Sequence, residues 1–236
     1  MKKLLFVVFV LTILLTACWS TPYPKSIKGD PYAPDYYYRP VYSYKSVAPK
    51  LNYTGNANIA LVVHDQRPYI TSGKTKPQYI GQLRPASTWG GGGWDIPMDV
   101  ITEDERTLAD TLTGIISDAV RKAGFHVTMA TIEPKERFNA KNYNLLQNTR
   151  NDKIVVVVLN EWMTDEFYNL GFAYDISISV YSGESSNMAA SYRLKGEDDL
   201  GGKGENREQR DALFCNAISK RLTELLNAES IKKAMQ

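Results

Sequence analysis

Four successive valines, Val155 to Val158, sit inside the segment Lys-Ile-Val-Val-Val-Val-Leu-Asn-Glu-Trp (residues 153–162) and constrain this chain more than any other feature. Consecutive β-branched side chains lose rotamer freedom in a helix and fit a pleated strand, and a strand with no polar alternation has to be covered on both faces. Asn58 to Asp65 has the same character. Its Ile59, Ala60, Leu61, Val62 and Val63 are too continuously apolar for a half-exposed edge, so a central strand is expected there.

Around these two runs the patterning alternates between strand and helix. Phe125 to Ala130 reads as a short strand. Phe172 to Tyr181 places Phe172, Tyr174, Ile176, Ile178 and Val180 on one face, and Met188 to Lys195 is expected to pair with it across a turn at residues 182–185. Thr102 with Glu105 forms a capping-box signature ahead of a helix bearing Leu108, Leu112, Ile115, Ile116, Ala119, Val120 and Ala123, which Gly124 should stop. Asn206 with Gln209 can cap a final helix carrying Phe214, Ala217, Ile218, Leu222, Leu225 and Leu226, and Ser230 to Met235 forms a last turn. Residues 69–101 and 196–205 read as loops, with a helical turn near residues 140–148 in a polar stretch. Strands in succession favour an α+β fold: a two-layer sandwich with a mixed or mostly antiparallel sheet and two main helices on one face. With 236 residues, 43% apolar and 23% charged, the chain suits one folded domain, assigned to residues 51–236.

The beginning of the chain has a different purpose. Lys2 and Lys3 precede the apolar run Leu4 to Leu15, which is too short to cross a bilayer at roughly 20 residues per helix. Leu15-Thr16-Ala17-Cys18 then resembles a bacterial lipoprotein lipobox. That resemblance implies cleavage after residue 17, acylation of Cys18, and anchoring without spanning. Two or more acyl chains hold stably where one is marginal. Trp19, where an aspartate would imply retention at the inner membrane, points to the outer membrane, with the domain facing the periplasm.

Residues 18–50 form the expected tether. It carries Tyr23, Tyr32, Tyr36, Tyr37, Tyr38, Tyr42 and Tyr44 with Pro22, Pro24, Pro31, Pro34, Pro40 and Pro49, a composition that forbids helix and favours extended backbone. Its charge is basic, with Lys25, Lys28, Arg39, Lys45 and Lys50 against Asp30 and Asp35. Either it lies on anionic lipid or cell-wall glycan, or it is a solvated spacer with incidental tyrosines. Without residues 1–17 the basic and acidic residues balance at 26 each, so nothing in the charge favours nucleic acid.

Candidate chemistry is sparse. His64 and His126 lack metal-ligand spacing, and satisfied strand histidines are the plainer reading. No nucleophile elbow or phosphate-cradling loop is found, and Gly90 to Gly93 reads as a hinge between Trp89 and Trp94. Asp165 with Glu166, and Glu197 with Asp198 and Asp199, read as solvated loop carboxylates. Cys215 lies on the apolar arc of the last helix and reads as a buried, inert thiol. No cofactor, metal or catalytic residue is expected, and the chain is not expected to be an enzyme. What remains is an interaction surface of arginine and aromatic residues: Asp65, Arg67, Tyr69, Arg84, Trp89, Trp94 and Asp99. Within it, Asp65 and Arg67 are either part of the surface or structural partners of one another.

In its order of motifs the chain resembles the YajG family of proteobacterial lipoproteins. The likeness rests on the lipobox, on Ile59-Ala60-Leu61-Val62-Val63-His64-Asp65-Gln66-Arg67-Pro68, on the helix closed by Gly124-Phe125, on the Val155 to Leu159 strand, on the Tyr174 to Val180 strand, and on the closing helix with its short tail. The resemblance implies an envelope location and a small mixed fold, with no biochemical activity attached. The expected role is non-enzymatic: binding another envelope protein, or self-association, in assembly or scaffolding. The alternative is a peptidoglycan-binding module or an activator of a cell-wall synthase, by analogy with activator lipoproteins of the penicillin-binding proteins, which share the anchor, tether and small domain.

Overall fold

The computed structural model describes residues 41–83, 98–102, 106–136, 138–139, 142, 146, 151–166, 169–183, 187–202 and 207–236. In chain order these form β1 (Val41–Tyr42), β2 (Asn58–Asp65), α1 (Pro68–Thr71), β3 (Tyr79–Leu83), β4 (Met98–Thr102), α2 (Leu108–Lys122), β5 (His126–Met129), β6 (Lys153–Glu166), β7 (Asn169–Ser182), β8 (Met188–Gly202), α3 (Arg207–Leu226) and α4 (Glu229–Met235).

The two apolar runs lie side by side. β2 pairs in parallel with β6 from Ile59 opposite Lys153 to Asp65 opposite Leu159, and on its other edge in parallel with β5. β6, β7 and β8 then form a long antiparallel meander. The sheet is mixed, as expected, and it curls into a half-barrel.

Both faces of its centre are covered, which is why the central strands show no alternation. Ile59, Leu61, Val63, Val155, Val157 and Leu159 pack in one core with Leu112 and Ile116 of α2 and Phe214, Ile218 and Leu222 of α3. The two main helices therefore share a face. Ala60, Val62, Ile154 and Val156 point the other way and meet Ile132 and Leu146 from the polar stretch. This second, smaller core departs from the expected two-layer sandwich. It arises because isolated apolar residues in a polar segment are enough to cover a narrow strip of sheet.

Four further expectations are corrected. Within the stretch to residue 50 expected as tether, Tyr44 and Val47 are buried in the main core and the backbone beyond them is stitched to α3 and to Asn227 just after it. The amides of Ala48, Lys50 and Asn52 donate to Ser219 Oγ, Thr223 Oγ1 and Asn227 Oδ1 at 3.1, 3.1 and 2.7 Å. The segment at residues 69–101 holds α1, β3 and β4 within its described part. The expected loop at 196–205 continues β8 to Gly202, and the carboxylates at 165–166 and 197–199 are strand residues. Finally, α2 is capped by Thr107, whose hydroxyl accepts from the amide of Asp110 at 3.0 Å, while Thr102 ends β4. The cap follows the strand because a residue bound into a sheet ladder is not available to start a helix one turn early.

Gly124 does stop the helix. Its φ of +97° lies in the left-handed region, and a Cβ there would sit 2.6 Å from the carbonyl oxygen of Gly55. Asn206, expected as the cap of the last helix, and the Gly90 to Gly93 hinge lie outside the described residues.

Candidate interaction surface

β2 and β3 take turns along the same edge of β6. β2 leaves at Leu159, and β3 joins at Thr164, opposite Gly81. A bulge between Leu159 and Glu161 shifts the register, so Trp162 and Thr164 fall on the core side with Leu159. Between the two strands, among the described residues, the backbone of β6 has no ladder partner on this edge. Arg67 fills the gap.

The Arg67 side chain is fully buried, as is Asp65 beside it, at 0% and 1% exposure. Nε and Nη2 of Arg67 donate to the two carboxylate oxygens of Asp65 at 2.8 and 2.7 Å. Nη1 donates to the carbonyls of Tyr79 at 2.7 Å and Trp162 at 3.2 Å. The guanidinium thus replaces missing strand–strand hydrogen bonds, with its charge balanced by Asp65. Tyr69, which follows the proline opening α1, stacks at 5.4 Å from this guanidinium and donates its hydroxyl to Glu161 Oε1 at 2.7 Å. Burial is the main reason the Tyr69 hydroxyl is held well above its ordinary value.

Of the residues expected to form an interaction surface, Asp65 and Arg67 are therefore inside, clamping the sheet junction, and Tyr69 is half-buried over them. Arg84, Trp89 and Trp94 lie outside the described residues. Asp99 is in β4, in register with Gln82 of β3.

A groove missed by sequence reasoning opens elsewhere. It lies between the docked segment 44–49 and one flank of α2, encloses about 610 Å³, and is lined by Lys45, Pro49, Arg106, Ile115, Asp118 and Lys122 among others. Gly114 forms part of its wall, and a side chain there would meet nothing within 4 Å. The groove mixes cationic, acidic and apolar groups, the composition of a protein-contact surface more than of a substrate pocket. The signal for it was faint: Tyr44 and Val47, three residues apart and joined by a turn, are both buried in the main core.

Several of the remaining charged groups pair with one another. Arg210 pairs with Glu166 at 3.0 Å, and Arg193 grips Asp175 at 2.7 and 2.6 Å, holding that carboxyl below the usual range. Arg221 pairs with Asp198 and stacks over Tyr174 at 5.0 Å. Gly196 lies against that ring, and a Cβ there would sit 2.6 Å from the Tyr174 hydroxyl oxygen. Cys215 is buried, donates to the Ser43 carbonyl at 3.0 Å, and has its thiol pushed up to about 11, mainly by burial. His64 is buried with its ring nitrogen 2.8 Å from Gln66 Nε2, whereas His126 is exposed at the far end of β2, opposite Asn58. Six residues of strand, roughly 20 Å, separate the two histidines, so they cannot share a metal. Among the described residues no three His, Cys, Asp or Glu side chains gather in a metal-binding group, and no helix is long and apolar enough to cross a membrane.

No family model matches this chain, and no curated protein matches it. Solved structures do resemble it. Protein XCC0632 from Xanthomonas campestris, of family DUF330, is 11% identical with a TM-score of 0.47, over 79% of this chain and 92% of that one. Lipoprotein GNA1162 from Neisseria meningitidis is 11% identical with a TM-score of 0.38, over 71% of this chain and 99% of that one. The PelC dodecamer from Paraburkholderia phytofirmans is 11% identical with a TM-score of 0.41, over 77% of this chain and 94% of that one. At these scores no role is transferred from them.

Proposed function

We propose that this chain is a lipid-anchored, non-enzymatic envelope lipoprotein of the YajG-like kind, acylated at Cys18, held at the outer membrane and facing the periplasm. Its role is to bind an envelope protein partner. The single observation carrying this reading is the groove beside α2. One wall of that groove is the segment 44–49, directly after β1 and within the stretch expected to lead back to Cys18. A partner seated there contacts both the domain and the root of the tether, so occupancy and tether geometry are coupled. The buried acids and bases support the same reading, because the pairs of Asp65, Glu166, Asp175 and Asp198 with arginines hold the fold together.

Photocrosslinking amino acids at Ile115 and Lys122 in the groove, and at Trp94, test this in cells. The expected product is a discrete adduct with an envelope protein from the groove positions. Adducts from neither position, together with retention of the purified chain on peptidoglycan, would replace protein binding with glycan binding.

A further inference from the structure

We propose that β8 is a self-pairing edge, through which two copies of this chain join their sheets antiparallel about a two-fold axis at Gly196. The proposal deepens the association reading above by naming a second copy as one partner.

β8 is 15 residues long, and among the described residues it is hydrogen-bonded to β7 alone. Alternate N–H and C=O groups along it therefore point away from the sheet. Natural edges of this length are usually blunted by proline, by very short strands or by repeated like charge. β8 has no proline, its two bulges lie toward its ends, outside the span Ala190 to Asp199, and within that span its charges change sign half-way. Its exposed face reads Arg193, Lys195, then Glu197, Asp199, with Gly196 at the change.

That arrangement is self-complementary in one register only. Two identical strands paired antiparallel about a perpendicular two-fold keep the same face outward when the axis passes through a residue. An axis at Gly196 sets Lys195 against Glu197 of the second copy and Arg193 against Asp199 of the second copy, each twice by symmetry. Moving the axis to Leu194 sets Arg193 against Lys195. At Lys195 or at Glu197 that residue faces itself, and at Asp198 Glu197 faces Asp199. On the helix-covered face the same register brings Tyr192 opposite Leu200 of the second copy, extending two side chains already packed against the main core. Gly196 is glycine because the Tyr174 hydroxyl takes up the space a side chain would fill on its helix-covered side, and the grip of Asp175 holds the Arg193 guanidinium on the exposed face.

The test uses the full chain in detergent micelles, with sedimentation velocity to read its state of association. Lys195 and Glu197 suit substitution because Glu197 faces Ala173 across the ladder and Lys195 is 72% exposed, its Asp175 neighbour at 3.9 Å being already paired with Arg193, and the double variant K195E/E197K controls for the loss of that contact. Wild type is expected to be dimeric. Lys195→Glu and Glu197→Lys, each alone, set like charges opposite and should weaken the dimer by about tenfold or more. An equimolar mixture of the two variants should recover wild-type association as a heterodimer, and the double variant K195E/E197K should recover it as a homodimer. Unchanged thermal melting of each variant keeps misfolding out of the comparison. A monomeric wild type, a dimer indifferent to both substitutions, or no recovery on mixing would overturn the proposal. Crosslinks from the α2 groove do not involve β8, so the association reading stands or falls on them separately.

Discussion

Arg67 has no water to turn to. Its guanidinium is enclosed with Asp65, and it also donates to the backbone carbonyls of Tyr79 and Trp162. Removing one member of a buried pair strands the other charge, which typically costs about 3–5 kcal/mol. Arg67→Met should therefore destabilise the chain by about that much in urea unfolding. Asp65→Leu combined with Arg67→Met should recover only part of it, because the carbonyls of Tyr79 and Trp162 still lose the guanidinium bonds, while the Tyr69 hydroxyl continues to donate to Trp162 at 3.2 Å. Full recovery would show that the carbonyl bonds contribute nothing. His64 gives a second prediction at this scale. Burial lowers its proton affinity in the folded chain below the ordinary value of 6.5, so the unfolded chain binds more protons as pH falls through 6.5. Stability is fully present above that pH and is lost on acidification below it. The thermal midpoint should fall between pH 7 and pH 5, and His64→Gln should flatten that part of the profile.

At the scale of elements, the decisive segments are short. Tyr44 and Val47 join the core, and the Tyr44 hydroxyl accepts from Trp162 Nε1 at 3.1 Å while its ring meets Phe214 edge-on. Burying side chains of this size contributes roughly 1.5–3 kcal/mol each. Deleting residues 41–50 should thus lower unfolding stability by about 3 kcal/mol or more, whereas deleting residues 19–38 should leave it unchanged by the same urea measurement. Gly124→Ala combines a left-handed backbone with a collision against Gly55, and it should cost more than the ~1 kcal/mol expected for loss of the Thr107 cap in Thr107→Ala. Much of this was readable in advance. The strands at 58–65 and 153–162, the helix arcs and the Gly124 stop follow from local periodicity and backbone sterics. β3, β4 and the last third of β8 did not, because their residues carry no apolar alternation and are strand only through the neighbours that pair with them. The interaction surface was legible only as residue types: Arg67 and Asp65 have the chemistry of an interface anchor, and their burial depends on a gap between strands far apart in sequence.

For the whole molecule, the anchor is the claim with the clearest consequence. Cys18→Ala should abolish palmitate incorporation and leave the precursor uncleaved by the lipoprotein signal peptidase, as followed by radiolabelling and gel mobility. Incorporation that persists in that variant would remove the lipid anchor from the proposal. The sequence alone determined that two strands are buried on both sides and that two amphipathic helices cover one face, because each of these depends on composition within a window of a few turns. Tertiary structure decided that Arg67 and Asp65 are mortar and not surface, that Tyr44 and Val47 belong to the core, and that among the described residues β8 pairs with β7 alone. Those outcomes depend on which strand ends meet along β6 and which edge stays unpaired, and contacts between residues a hundred positions apart leave no mark in local pattern.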